Sequence, residues 1–281
     1  MSGAVRLSRV LPLREGAGVR GVRWYVRSRA SEYRPYLAFA RHKYDGSVIG
    51  PETEMVIDGF PRCASTFATM AFQTAQPRPV RLAHHLHAPA QLIEAARRGI
   101  PSIATVRHPR DAVISCVIRE PYIPLGWGLD AYARFYEALV PFVSEIVVAP
   151  FEDVTRDFPA IVESVNSRFG KQMATGAHDQ ERVAQCFHLI DLRARGGGLA
   201  RVINRYMSGM IDADQLAEGL ARYEHEAGAA VPERRVARPS QQRADEWQTL
   251  AEEYQTPGHA KVRARAERAF ERLVHASAWT S

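Results

Sequence analysis

Short apolar, β-branched runs alternate through the middle of the chain with stretches whose apolar positions recur at helical spacing. Met55-Val56-Ile57 reads as a buried strand over 54–58, broken by Gly59 and Pro61. Phe67, Met70 and Ala71 then mark a helix over 66–75. Gln76-Pro77-Arg78-Pro79 ends that helix by removing donors and disfavouring the helical region before each Pro. A strand restarts at Val80-Arg81-Leu82, and Pro89 opens a helix over 89–98 that Gly99 stops. The pattern then predicts a strand at 102–106, a helix at 110–119, and a loop holding Pro121, Pro124, Gly126 and Gly128. A helix at 129–140 follows, with Tyr132, Phe135, Tyr136 and Leu139 along one side, then a strand at 146–149 and a helix at 157–169. Such alternation predicts a parallel sheet covered on both faces.

The two ends read differently. Residues 1–50 read as irregular, broken at Gly16, Gly18 and Gly21, with a short helix or strand around 24–39. Beyond about 177 the chain reads as mostly helical, punctuated by Gly196-Gly197-Gly198 and Pro232, with a helix at 241–254. At 281 residues, one domain with elaborations is expected: an extension over 1–50, an α/β core over 51–176 and a helical part over 177–281.

Charge changes this picture mainly at the N-terminus. The net charge is +6, but residues 1–45 hold ten Lys or Arg against three acids, with Trp24, Tyr25, Tyr33, Tyr36 and Phe39 among them. A basic, aromatic-bearing lead-in suits peripheral contact with anionic lipid or an acidic acceptor; the simpler alternative is a packed extension solvated by its arginines. No nucleic-acid-binding motif accompanies the charge, so nucleic acid is not an expected partner. No apolar run approaches the roughly eighteen residues of a membrane span. Arg6, Arg9 and Arg14 interrupt every candidate apolar core of a secretory signal. Together these set an expectation of a cytoplasmic protein. Cys63, Cys116 and Cys186 lack metal-ligand spacing and predict no disulfide framework.

The chemistry is expected in two strand–loop–helix turns. In Phe60-Pro61-Arg62-Cys63-Ala64-Ser65-Thr66-Phe67 a strand gives way to a helix N-terminus, where unpaired N–H groups and the positive end of the helix dipole face an anion. Arg62 adds a fixed charge, and Ser65 and Thr66 add hydroxyls. Neither the GxxxxGK[ST] nor the GxGxxG pattern is present. The second turn is Val106-Arg107-His108-Pro109-Arg110-Asp111-Ala112-Val113-Ile114-Ser115.

Together these turns resemble the two cofactor motifs of sulfotransferases that use 3′-phosphoadenosine 5′-phosphosulfate (PAPS). The resemblance covers roughly residues 54–170, and Phe151-Glu152-Asp153-Val154 is similar to a further strand–helix element of that family. It implies a three-layer, P-loop-like α/β fold with a central parallel sheet and a helical C-terminal cover. By it, Arg62, Cys63, Ala64, Ser65, Thr66 and Phe67 would surround the 5′-phosphosulfate, and Arg107 and Ser115, eight residues apart, would hold the 3′-phosphate. Ala64 stands where the family has Gly, and Cys63 replaces a Ser or Thr. The family's late basic loop is missing; Arg238, Ser240 and Arg243 are its possible substitutes, a solvated helix cap being the alternative.

Sulfuryl transfer asks for in-line geometry and charge stabilisation, which Arg62 would supply, and a metal ion is not obligatory. A base beside the acceptor hydroxyl is wanted. His85-Leu86-His87-Ala88-Pro89 aligns with the K-T-H-L-P of cytosolic family members and points to His87; strand alternation would place His85 on the same side, making it a rival. Some Golgi-type members use Glu instead. The resemblance therefore implies transfer from PAPS, leaving adenosine 3′,5′-bisphosphate, to a hydroxyl (or amine) of a small molecule, glycan or lipid. The competing readings are an ATP-using phosphotransferase of the P-loop kinase type and a non-catalytic membrane-surface protein on a nucleotide-binding fold.

Overall fold

A computed structural model of the chain describes residues 16–44, 46–226, 228 and 241–276. The expected Arg238 and Ser240 lie outside the described residues.

Four parallel strands form the central sheet: β1 (Met55–Gly59), β2 (Leu82–His84), β3 (Ser102–Val106) and β4 (Val147–Pro150), in the order β2-β1-β3-β4. Ile57 pairs with His84 on one side and with Ile103 on the other, and Thr105 pairs with Ala149. The helices α3 (Ser65–Ala75) and α4 (Pro89–Arg97) follow β1 and β2. The path from β1 to β2 runs one way across the sheet and the path from β2 back to β3 runs the other. Right-handed crossovers therefore put α3 and α4 on opposite faces.

Packing bears this out. Met55 and Ile57 of β1 pack with α3, while Val56 packs with Leu92 and Ala95 of α4. With α4 lie α5 (Pro109–Arg119) and α6 (Leu125–Glu137); with α3 lie α7 (Phe151–Arg156) and α8 (Phe158–Phe169). The C-terminal part divides between the faces. Helices α9 (Gln180–Arg195), α10 (Gly197–Met207) and α11 (Ala213–Arg222) extend the α3 face; α12 (Gln241–Gln255) and α13 (Ala260–Ala276) cover α5 and α6. The result is an α/β architecture with a buried parallel sheet and helices on both sides. Among the described residues, no helix is long and apolar enough to cross a membrane.

Two sequence expectations are corrected. Residues 16–44 are not irregular: they form α1 (Ala17–Ala30) and α2 (Arg34–Lys43), and Gly18 and Gly21 lie inside a helix. Gly21 is a contact residue, since a Cβ there would stand 2.5 Å from the Tyr122 carbonyl oxygen. Likewise α6 begins at Leu125 rather than at 129, with Gly126 and Gly128 inside it; a Cβ on Gly128 would meet Val113 at 2.7 Å. Helix α1 packs on α6 through Tyr25 against Trp127, and Tyr25 Oη donates to Asp130 at 3.0 Å.

Candidate functional site

Among the first three strands, β1 alone feeds its helix to the α3 face. Its loop, residues 60–64, is thus flanked by the loops after β2 and β3 at the carboxyl edge of the sheet, where ligand sites of open α/β sheets form. Backbone strain concentrates there. Among the described residues, the non-glycine residues with positive φ are Arg62 (73°), Ala64 (66°), His85 (56°) and His87 (52°). Each such conformation costs about 1–2 kcal/mol and persists only where its surroundings hold it.

Ala64 precedes the first turn of α3, which turns the unpaired N–H groups of Ser65, Thr66 and Phe67 out of the helix end; the Ala68 N–H is the first to find a partner, at the Ala64 carbonyl oxygen. Substituting Ala64→Gly should relieve the left-handed strain and raise stability by about 1 kcal/mol without weakening anion binding, as read by urea unfolding with and without sulfate. The Phe67 side chain faces away, into the core against Phe187 and His178. Only its N–H can serve a ligand.

Cys63 also turns inward. Its thiol is fully buried and lies 3.4 Å from the Tyr136 hydroxyl, which donates its proton to the Thr105 carbonyl oxygen at 2.7 Å. Arg62 and the helix end favour a thiolate, but burial outweighs both and pushes the thiol up to about 12. Burial thus argues against a reactive thiol at Cys63. Cys116 and Cys186 are also buried, so a thiol-alkylating reagent at pH 8 should leave the native protein unmodified and its ligand binding intact, as mass spectrometry would read.

Arg62 and Ser115 join the two turns: Arg62 Nε donates to Ser115 Oγ at 2.9 Å. Ser115 is thus drawn to Arg62 rather than to the Arg107 that the motif pairs with it. Arg107 stacks its guanidinium on Phe151, 4.1 Å from the ring centroid, and its buried Nε has no hydrogen-bond partner. Around Arg62 gather Arg107, Arg119 and Arg243. Burial first, and then these like charges, lower Arg62 to about 10; Arg193 of α9 is lowered to about 10 by burial and by Arg119. The charge of Arg243, on α12, thus reaches Arg62. Arg119 and Arg193 were missed, the latter because it enters from the C-terminal helices with no motif around it. Desolvated like charges and an orphaned buried donor fit a multiply charged anion, which would hydrogen-bond the donors and offset the repulsion.

The histidine loop closes the other side. Strand β2 ends at His84, so the strand alternation expected for His85 and His87 does not operate; left-handed residues at both positions nevertheless bring their rings within 5.9 Å. The two rings have different surroundings. His85 is engaged at both nitrogens, Nδ1 with His84 Nδ1 at 2.7 Å and Nε2 with Thr66 Oγ1 at 2.7 Å, and His84 Nε2 meets Ser208 Oγ at 3.0 Å. Burial keeps His84 and His85 neutral, lowering His84 to about 3 and His85 well below its ordinary value. Thr66 is therefore held by the histidine chain.

His87 Nδ1 lies 2.8 Å from the Gly59 carbonyl oxygen. A carbonyl only accepts, so Nδ1 carries the proton and Nε2 is left as the basic nitrogen. The ring lines an open cleft together with Trp24, Tyr36, Phe60 and Phe135, and its side chain is 26% exposed. Burial lowers it to about 4, against the opposing bond to Gly59.

The loop is held from below by Asp58, which the sequence reading passed over as the end of a strand. Its wholly buried carboxylate accepts from the N–H of Gly59 at 2.9 Å and of His87 at 3.1 Å, and from Gln91 Nε2 at 3.1 Å. Burial nevertheless raises it to about 7.

Compared with family models, curated proteins and solved structures, the chain matches none of them.

Proposed function

We propose that the chain is a sulfotransferase, built on a P-loop-like fold, that moves a sulfuryl group from PAPS to an acceptor hydroxyl. One observation carries the reading. The non-glycine left-handed residues among those described gather at one sheet edge, between a group of half-buried arginines and a neutral histidine open to a cleft. A polyanionic donor beside a base is the chemistry that such a combination serves.

The N–H groups of Ser65, Thr66 and Phe67, with the Thr66 hydroxyl and Arg62, would bind the 5′ end. Arg107 would take the 3′-phosphate through its unpartnered Nε, beside Ser115. PAPS supplies the sulfuryl group and a phosphate leaving group. Arg62 stays charged at neutral pH and would stabilise charge on the leaving oxygen without donating a proton. His87 would accept the hydroxyl proton at Nε2 while Nδ1 holds the Gly59 carbonyl, and Asp58 would fix the loop that presents it.

Calorimetry with adenosine 3′,5′-bisphosphate and with ATP tests the cofactor, and transfer of labelled sulfate from PAPS to a panel of hydroxyl compounds tests the reaction. Tighter binding of the bisphosphate together with label transfer is the expected result. A preference for ATP would move the chain to the phosphotransferase reading, and bisphosphate binding without transfer to any acceptor would leave a non-catalytic nucleotide fold.

A further inference from the structure

We propose that the cleft beside His87 receives a small hydroxyl compound with a flat apolar body and an anionic group, and that Arg27 of α1 reads that group. The assignment of the hydroxyl end rests on the sulfuryl-transfer reading; the recognition of the anion does not.

Helix α1 lines the cleft with Trp24, Arg27, Ser28 and Ser31, at positions i, i+3, i+4 and i+7 of one helical face. His87 and Phe60 line it from the sheet edge, and Phe135 of α6 lines it as well. The cleft is open to solvent along its length between these walls. Four aromatic side chains, Trp24, Tyr36, Phe60 and Phe135, favour a flat apolar body.

The charges among the lining residues are not equivalent. Glu32 is bonded by the guanidinium of Arg134, a side chain only 5% exposed that also holds Asp130 at 3.0 Å and Ser28 Oγ at 3.0 Å. The acid is thereby neutralised within the wall. Arg27 is an exposed cation whose charge reaches both Tyr36, where it opposes the upward push of burial, and His87, where it adds to the downward push of burial. The lining therefore combines an apolar middle, a neutral imidazole and an arginine, and it discriminates by the sign of the ligand's substituent. Guanidinium pairs with a carboxylate through parallel N–H donors, which sets orientation as well as affinity. With its anionic group on Arg27, the compound would turn its hydroxyl toward His87.

The test is calorimetric binding of 4-hydroxyphenylacetate and of the neutral 4-hydroxyphenylacetamide to the full chain, alone and with saturating adenosine 3′,5′-bisphosphate. Wild type should prefer the acid by about 10- to 100-fold, the worth of a hydrogen bond to a charged group. Arg27→Gln should abolish the preference and Arg27→Glu should reverse it. Because Arg27 is an exposed helix position, neither change disturbs the core, and circular dichroism checks that the helix survives. Equal binding of acid and amide to wild type, or a preference that survives in Arg27→Gln, overturns the proposal. Bisphosphate binding with no acid preference would sink this inference alone. An acid preference that depends on Arg27, in a protein that ignores the bisphosphate, would support the anion assignment while removing the sulfuryl-transfer reading.

Discussion

Replacing His87 by Ala is expected to lower turnover roughly 10²–10⁴-fold, the usual worth of a positioned general base. The affinity for adenosine 3′,5′-bisphosphate should scarcely change, because the loop 60–64 and Arg107 remain in place. The pH dependence supplies a second readout. Burial lowers His87 to about 4, so the neutral, proton-accepting form predominates above that value and is lost as pH falls through it. Wild-type kcat/KM should therefore show a limb that declines as pH falls through about 4, a limb absent from the variant's residual activity. His85→Ala should behave differently. It removes the partner of Thr66 and His84, so it should weaken nucleotide binding as well as turnover. Should His85→Ala instead reproduce the pure turnover defect while His87→Ala stays active, the roles of the two rings would be exchanged.

Arg107→Ala is expected to cost about 2–5 kcal/mol of affinity for adenosine 3′,5′-bisphosphate, the range for removing one side of a buried, hydrogen-bonded charge pair. The loss should be much smaller for the analogue lacking the 3′-phosphate, which calorimetry on both ligands would separate. Stability without ligand should fall less than on an ordinary arginine deletion. Arg107 keeps an unpaired buried Nε and adds to the repulsion on Arg62, so its removal takes away an unfavourable term as well as the stacking on Phe151. An equal affinity loss for both nucleotides would show that Arg107 does not read the 3′ end.

The parts of this fold that were legible are those decided locally. Strands β1 and β3 are short β-branched runs bounded by Gly, Pro or polar residues, and β3 falls at 102–106 as expected. What escaped depends on tertiary contact. Gly21, Gly126 and Gly128 look like helix breakers by propensity, yet Gly21 and Gly128 sit where neighbouring elements leave no room for a side chain, and packing overrides the cost of about 1 kcal/mol each.

The site divides in the same way. Arg62 and Arg107 stand in loops whose spacing announces them, and the histidine cluster announces itself by composition. Which ring is engaged and which is open could not be read, because β2 ends at His84 and left-handed residues then replace strand alternation. Asp58 looks like a polar full stop after an apolar run; its burial and its three donors come from Gly59, His87 and Gln91, the last thirty-three residues away. Arg193 arrives from α9 with nothing in its local sequence to mark it.

The gathering of Arg62, Arg107, Arg119, Arg193 and Arg243 has a consequence outside chemistry. A protein that keeps such charges together, with Arg62 and Arg193 in poorly hydrated surroundings, is most stable when an anion is bound, and at a hundred times the dissociation constant a ligand adds about 2.7 kcal/mol to folding. A protease that acts on transiently opened chains would degrade the unliganded form about a hundredfold faster, a difference that pulse proteolysis with and without the bisphosphate would measure. If the proposed nucleotide is that anion, the lifetime of this protein in a cell would follow the nucleotide's supply, making its abundance a record of that supply.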